Sequence, residues 1–247
     1  MTYETRAKSF AALHQPGDPV VLYNIWDAGS ARAIAAAGAK AIATGSHPLA
    51  TSQGYEDGET IPLDRLLETA TQIVSATELP VTIDFEGGYV REPEQLTKNV
   101  TRLAATGAIG LNFEDQVVGT AQLYSVAEQA SRVTAVRAAN AHIFVNARTD
   151  LFLKEKDASR HAALMPEALE RAAAYAEAGG SGFFVPGLRD LDLLARICSE
   201  SPLPVNAFMR GITVEDARQV GAARASFGPI PYALLMQALA EQFQALK

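Results

Sequence analysis

VTIDFEGGYVREPEQLTKNVTRLAATGAIGLNFED, residues 81–115, reads as strand, helix and strand again. VTIDFE is a short apolar run rich in β-branched residues, as suits a strand covered on both faces. EPEQLTKNVTRLAATG then takes helical periodicity and ends in Gly107, a C-cap signal, before GLNFED resumes the strand pattern. Both strands finish in acids: Asp84 and Glu86 on the first, Glu114 and Asp115 on the second. Carboxylates at the mouth of an apolar strand cost free energy unless something compensates them.

The same unit recurs in both directions. VVLYNI (20–25), AIATGS (41–46), IFVNART (143–149), GFFVPG (182–187), PVNAFM (204–209) and RASFGP (224–229) are further strands, separated by Ala-rich helical stretches. Gly38, Gly179 and Gly221 close helices as Gly107 does. Eight strand–helix units in 247 residues match the count and length of a (β/α)8 TIM-type barrel. A doubly wound open sheet fits less well: no Gly-x-Gly-x-x-Gly follows the first strand, and the strand spacing stays even to the end. No Pro/Ser linker divides the chain, so residues 1–247 are expected to form one barrel domain. An extra N-terminal helix over about residues 3–13 would cap its bottom, and YALLMQALAEQFQALK (232–247) forms the last helix.

Composition excludes several classes. A hydrophobic content of 48% supports a large core, and the net charge of -7 is spread along the chain without a basic patch for nucleic acid or an anionic membrane. The single Cys198 rules out a disulfide framework or a multi-cysteine cluster; in LDLLARICSE it reads as a buried thiol. No apolar run reaches the roughly 18–20 residues of a membrane span, and the N-terminus has no signal-peptide pattern. A cytoplasmic protein is the expectation.

In such barrels the chemistry sits at the C-terminal strand ends. Those ends carry Asn24, Trp26 and Asp27; Thr44, Gly45, Ser46 and His47, followed by GYEDGE with Asp57 and Glu59; then Asp84 and Glu86; Asn112, Glu114 and Asp115; Asn146, Arg148 and Asp150; and Asn206 and Arg210. Singly, each acid reads as a helix cap or a rim ion pair, and His47 or Trp26 as structural. Together, Asp84 and Glu86 share parity and Glu114 ends the adjacent strand. Acids gathered there repel one another and hold raised pKa values unless a cation joins them. An all-oxygen set suits Mg²⁺ or Mn²⁺ rather than zinc. Arg148 on the next strand is a bidentate partner for a substrate carboxylate or phosphonate.

NIWDAGSARAIAAAGAKAIATGS, GYEDGE, VTIDFEGGY, GLNFEDQ and NARTD, in this order, resemble the isocitrate lyase/phosphoenolpyruvate mutase superfamily over roughly residues 18–190. The resemblance implies a (β/α)8 barrel and a homo-oligomer (dimer or tetramer), often with the last helix exchanged between subunits. It also implies Mg²⁺ and a 2-oxo or 2-hydroxy carboxylate handled through a pyruvate-enolate-like intermediate. Carried over, Asp84 is the direct metal ligand, and Glu86, Glu114 and Asp57 hold its waters. Gly45, Ser46 and His47 bind the substrate carboxylate or oxyanion, Arg148 clamps that end and Trp26 walls the pocket. Asn206, at a strand end, joins the substrate-binding set.

Two departures bear on the reaction. Lyases of the superfamily carry a Lys-Cys-Gly-His-type loop after the fourth strand, whereas this chain runs FEDQVVGTAQLYSV into a helix without Cys, His or Lys. Mutase and phosphonopyruvate hydrolase members carry a longer polar loop there, for which Thr120 is the nearest substitute. Glu86 also stands where the superfamily more often has Asp. A reaction needing no loop acid fits: decarboxylation of oxaloacetate, with solvent supplying the proton. The alternatives are C–P chemistry on phosphonopyruvate and a catalytically degenerate binder of 2-oxo acids.

Overall fold

The computed structural model describes residues 2–247. Its eight strands are β1 (Val20–Leu22), β2 (Ile42–Ala43), β3 (Val81–Asp84), β4 (Gly110–Glu114), β5 (Phe144–Arg148), β6 (Gly182–Phe184), β7 (Val205–Phe208) and β8 (Arg224–Ser226). All pair in parallel in the order β1-β8-β7-β6-β5-β4-β3-β2. Ile25 closes the ring beyond β1: its N–H donates to Ala43 O at 2.8 Å, and its carbonyl accepts from Gly45 N at 3.2 Å. The chain is a (β/α)8 barrel.

The outer helices follow their strands. They are α2 (Ala28–Ala36), α4 (Leu63–Ser75), α5 (Pro93–Ala105), α6 (Val126–Ala139), α8 (His161–Glu177), α9 (Leu191–Glu200), α10 (Val214–Gln219) and α11 (Ile230–Gln244). Two short helices open loops at the barrel mouth, α3 (Ser46–Thr51) and α7 (Leu151–Lys154). Asp27, Ser125 and Thr213 cap α2, α6 and α10 through reciprocal capping boxes, so Asp27 is a helix cap. Strand–helix registry is held by burial: Ile83, Leu111, Val145 and Phe183 face the helices, with Leu96, Val100, Val133 and Ala172 among the residues packed with them in one continuous core.

The N-terminal helix α1 (Tyr3–Ala12) closes the bottom as expected. Phe10 packs edge-on to Phe144 at 5.2 Å, and His14 stacks on Phe144 at 4.2 Å. Tyr3 Oη donates to Ala108 O at 2.9 Å, anchoring the helix beside the start of β4. Helix α8 begins at His161, so Pro166 lies inside the helix. Proline there gives up one intrahelical bond, which the burial of Met165, Ala168 and Ala172 on the same helix offsets. No helix among the described residues is long and apolar enough to cross a membrane.

Candidate active site

Asp84 ends β3 and is held from two sides. Its N–H donates to Thr44 Oγ1 at 2.8 Å, while its Oδ2 accepts from Ser46 N at 3.0 Å. Burial raises its pKa, and the nearby Arg148 charge and the Ser46 N–H act in the opposite direction. Behind it, Asn112 offers Nδ2 to Asp84 at 3.5 Å, while its Oδ1 accepts from Asn146 Nδ2 (2.8 Å) and from Arg224 Nη2 (3.1 Å). Arg224 is fully buried on β8, and burial pushes its pKa down to about 9 against the charge of Asp84.

Two residues on, the chain turns sharply. Glu86 adopts φ +49, and Glu59 and Tyr89 stand at φ +58 and +64; these are the only non-glycine residues with positive φ among the described residues. They interlock: Glu59 N donates to Glu86 Oε2 at 3.1 Å, and Tyr89 N donates to Glu59 Oε1 at 2.7 Å. Strained backbone gathered at one place marks a site that its surroundings over-determine. Gly88, at φ +84, permits the turn, because a Cβ there would stand 2.3 Å from Leu96 Cδ1.

Glu114 and Arg148 come from neighbouring strands in register. Arg148 Nη1 lies 2.8 Å from Glu114 Oε2, and Asp150 grips the other edge, Nε to Oδ1 at 2.6 Å and Nη2 to Oδ2 at 3.0 Å. The Asp150 side chain makes no helix-cap bond; it orients Arg148. Burial pushes Glu86 up to about 9, with Asp84, Glu114 and Asp57 adding to the rise. Glu114 rises to about 8, again chiefly by burial and against the pull of Arg148.

These groups border one cleft with two halves. The acid half is bordered by Glu86, Glu114, Asp57 and Gln116, and by Lys154 and Lys156 from the segment after β5. The other half, a cavity of about 270 Å³, is bordered by Ser46, His47, Asp84, Phe184, Phe208 and Arg210. Asp57, Ser46 and Arg148 belong to both. The sequence-derived metal set therefore comes together around one cleft, with His47 and Gly45 at its edge.

Two expected substrate-binding residues lie elsewhere. Trp26 meets Tyr232 edge-on at 5.0 Å and borders a separate surface groove with Ser52, Gln53 and Arg65. It follows the ring-closing bridge at Ile25, beyond the end of β1. Asn206 is buried in the barrel interior opposite Phe184 and Arg224, and neither side-chain atom has a partner. Two further expectations shift. The Ser46 N–H is taken by Asp84 rather than left for a substrate oxygen. The Thr120 hydroxyl donates to Val117 O at 2.7 Å, inside its own turn. Sequence reasoning missed Lys154 and Lys156, which follow NARTD within the same loop, and Arg224, whose inward aim depends on the register of β8.

The donor set fits Mg²⁺. It is all oxygen, Asp84, Glu86 and Glu114 are buried while Asp57 stands exposed at the rim, and its one neighbouring guanidinium at close range is already engaged by Glu114 and Asp150. Among the described residues no three carboxylates close on one point as a full protein cage would. Asp84, Glu86, Glu114 and Asp57 are the residues that would hold such an ion, in part through its waters rather than as a closed protein cage.

The phosphoenolpyruvate phosphomutase family model matches residues 10–247. The chain belongs to this family, within the isocitrate lyase/phosphoenolpyruvate mutase superfamily. A crystal structure of a candidate phosphonomutase from Burkholderia cenocepacia is 42% identical, superposes with a TM-score of 0.94 and covers 98% of this chain and 99% of its own. An uncharacterised protein of Mycobacterium tuberculosis is 34% identical over 243 residues, 96% of this chain and 88% of its own length. Among family relatives named as carbon–carbon lyases, an oxaloacetate decarboxylase of Rhodopseudomonas palustris is 28% identical over 205 residues, 78% of this chain and 68% of its own length.

Proposed function

We propose that the chain is a Mg²⁺-dependent carbon–carbon lyase for a small 2-oxo or 2-hydroxy carboxylate, with oxaloacetate decarboxylation as its reaction. We also propose a cytoplasmic homo-oligomer. One observation carries the catalytic reading: the buried carboxylates of Asp84, Glu86 and Glu114, whose nearest arginine is already paired, stand beside a cavity of about 270 Å³ that Asp84 lines. Bound there, Mg²⁺ supplies Lewis-acid polarisation of a 2-oxo group and charge to offset a developing enolate. Asp84, fixed by Ser46 and Asn112, sets the position of the ion's inner ligand. Arg148, oriented by Asp150, brings fixed positive charge to the cavity wall, where it stabilises the same developing anion. The β4–α6 loop folds on itself through the Gln116–Leu123 bridge, and its one carboxylate, Asp115, is buried in an ion pair with Arg171. No Cys, His or Lys lies in it, so the proposed reaction takes its proton from solvent rather than from a loop acid.

The test is CO₂ release from oxaloacetate above the metal-catalysed background. Turnover should vanish with EDTA and return with Mg²⁺, and turnover that survives either EDTA or Asp84→Ala would sink the reading. One observation favours a second reading, C–P cleavage: Lys154 and Lys156 border the acid half, where a phosphoryl group would need cations. Phosphate release from phosphonopyruvate distinguishes it.

A further inference from the structure

Arg210 stands directly beyond β7 at the cavity wall. In the closed ring of eight strands, β7 lies across the mouth from β3, which carries Asp84. The cavity is thus chemically polarised. Its β3 side holds Asp84 and continues into the acid half, while its β7 side presents a guanidinium. Unlike Arg148, Arg210 forms no ion pair among the described residues, and neither does Arg189 of the preceding loop. The Arg189 side chain lies against Gly211, its Cδ 3.5 Å from where a Cβ would stand, so a second positive charge borders the Arg210 turn. Phe208 and Phe184, edge-to-face at 6.4 Å, border the same side of the cavity. Apolar rings there offer nothing to a charged group, which leaves Arg210 as the partner on that side.

We propose that Arg210 determines specificity by holding the anionic group at the far end of the substrate, so that the enzyme selects diacids over monocarboxylates of equal length. The inference rests on the metal-lyase reading, because it assumes that the near end of the substrate sits at Asp84. It also fixes a kinetic signature. If the far carboxylate is the one lost as CO₂, its bond to Arg210 is made in the ground state and weakens as charge leaves. Arg210 then lowers KM without raising kcat.

Binding titrations in saturating Mg²⁺ test this with three unreactive probes. Oxalate reaches only the near end; malate and 2-hydroxybutyrate share a four-carbon chain and differ in the far carboxylate. The wild-type should bind malate about five- to tenfold more tightly than 2-hydroxybutyrate, the size of one charge-assisted hydrogen bond at a hydrated rim. In Arg210→Gln that advantage should disappear while oxalate affinity stays within about twofold, and Arg210→Lys should recover part of it. For oxaloacetate, Arg210→Gln should raise KM and leave kcat equal or higher. A malate advantage that persists in Arg210→Gln would overturn the proposal, as would oxalate affinity falling in step with malate affinity. Failure of the wild-type to bind oxalate with Mg²⁺ would overturn the metal-lyase reading itself, and the role of Arg210 with it.

Discussion

Asp84 and His14 show how one side chain sets a property of the whole site or of the barrel floor. Asp84→Asn keeps the volume and an acceptor for Ser46 N but removes the charge. Mg²⁺ at 100 times its Kd should raise wild-type stability by about 2.7 kcal/mol, or about 5–10 °C in Tm for a chain of this size. In Asp84→Asn that shift should be absent and kcat/KM should fall about 100-fold or more, checked by melting curves with and without Mg²⁺ and by CO₂ release. His14 is buried against Phe10 and Phe144, and burial, aided by the charge of Arg224, lowers its pKa to about 3. The unfolded chain protonates it near 6.5, so between those values the unfolded state binds more protons and stability falls as pH falls. Above pH 6.5 the group contributes no slope. His14→Phe removes that dependence, so the stability gap between wild-type and variant should shift toward the variant by about 2 kcal/mol between pH 7 and pH 5, read from urea unfolding. Asp84, Glu86 and Glu114 were legible from their positions at or just past the ends of β3 and β4, whereas Asp57, in the loop after β2, joined the set only through the family resemblance. The partners that hold them were less so: Asp150 read equally well as a helix cap, and the Arg224–Asn112–Asp84 line crosses the barrel between residues 140 positions apart in sequence at its ends.

At the scale of elements, the turn from β3 into α5 builds the acid half, and its cost can be divided experimentally. Gly54 and Gly88 share almost the same backbone, φ +83 and +84, but a Cβ at Gly54 meets nothing within 4 Å while one at Gly88 meets Leu96 Cδ1 at 2.3 Å. Gly54→Ala should therefore cost about 1 kcal/mol, the left-handed penalty alone. Gly88→Ala should cost at least about 2 kcal/mol more, because Leu96 or the turn must move. Urea denaturation of both variants separates the two terms; equal losses would mean that the β3–α5 turn is not tightly packed. Alternation of apolar strands with Ala-rich helices was enough to place the eight strands, since nearly all of them are buried on both faces, Val21 of β1 being the exposed exception. The short helices α3 and α7 were invisible for the opposite reason. At six and four residues they have no room for a period, and they are held by loop contacts rather than by propensity. AIATGS likewise reads as one strand, but Gly45 bends toward Ile25 and Ser46 already starts a helix.

At the scale of the whole molecule, α11 leaves most of its large apolar side chains uncovered. α11 buries only Pro231 among its residues. Leu235, Leu239, Phe243 and Leu246, spaced three or four apart, are 54%, 62%, 61% and 84% exposed. Leu235, Leu239 and Phe243 form a single face of α11, with Leu246 just past its end, and an apolar stripe of this size in water marks an interface. A second copy of the chain, carrying the same stripe, supplies a self-complementary partner for it, which supports the proposed homo-oligomer. Light scattering behind size exclusion should give a mass of two or four times the 26.3 kDa chain at micromolar concentration. Leu239→Glu with Phe243→Glu should shift it to one chain without lowering the far-UV helix signal, because neither side chain contributes to the barrel core. A wild-type mass of 26.3 kDa would rule the assembly out. The consequence reaches the active site: α11 begins one residue after Pro229, which borders the substrate cavity, and its Tyr232 packs on Trp26. Freeing the helix should loosen that wall, so the double variant should lose affinity for a diacid such as malate while keeping its Mg²⁺-induced thermal shift, which depends on Asp84 across the barrel.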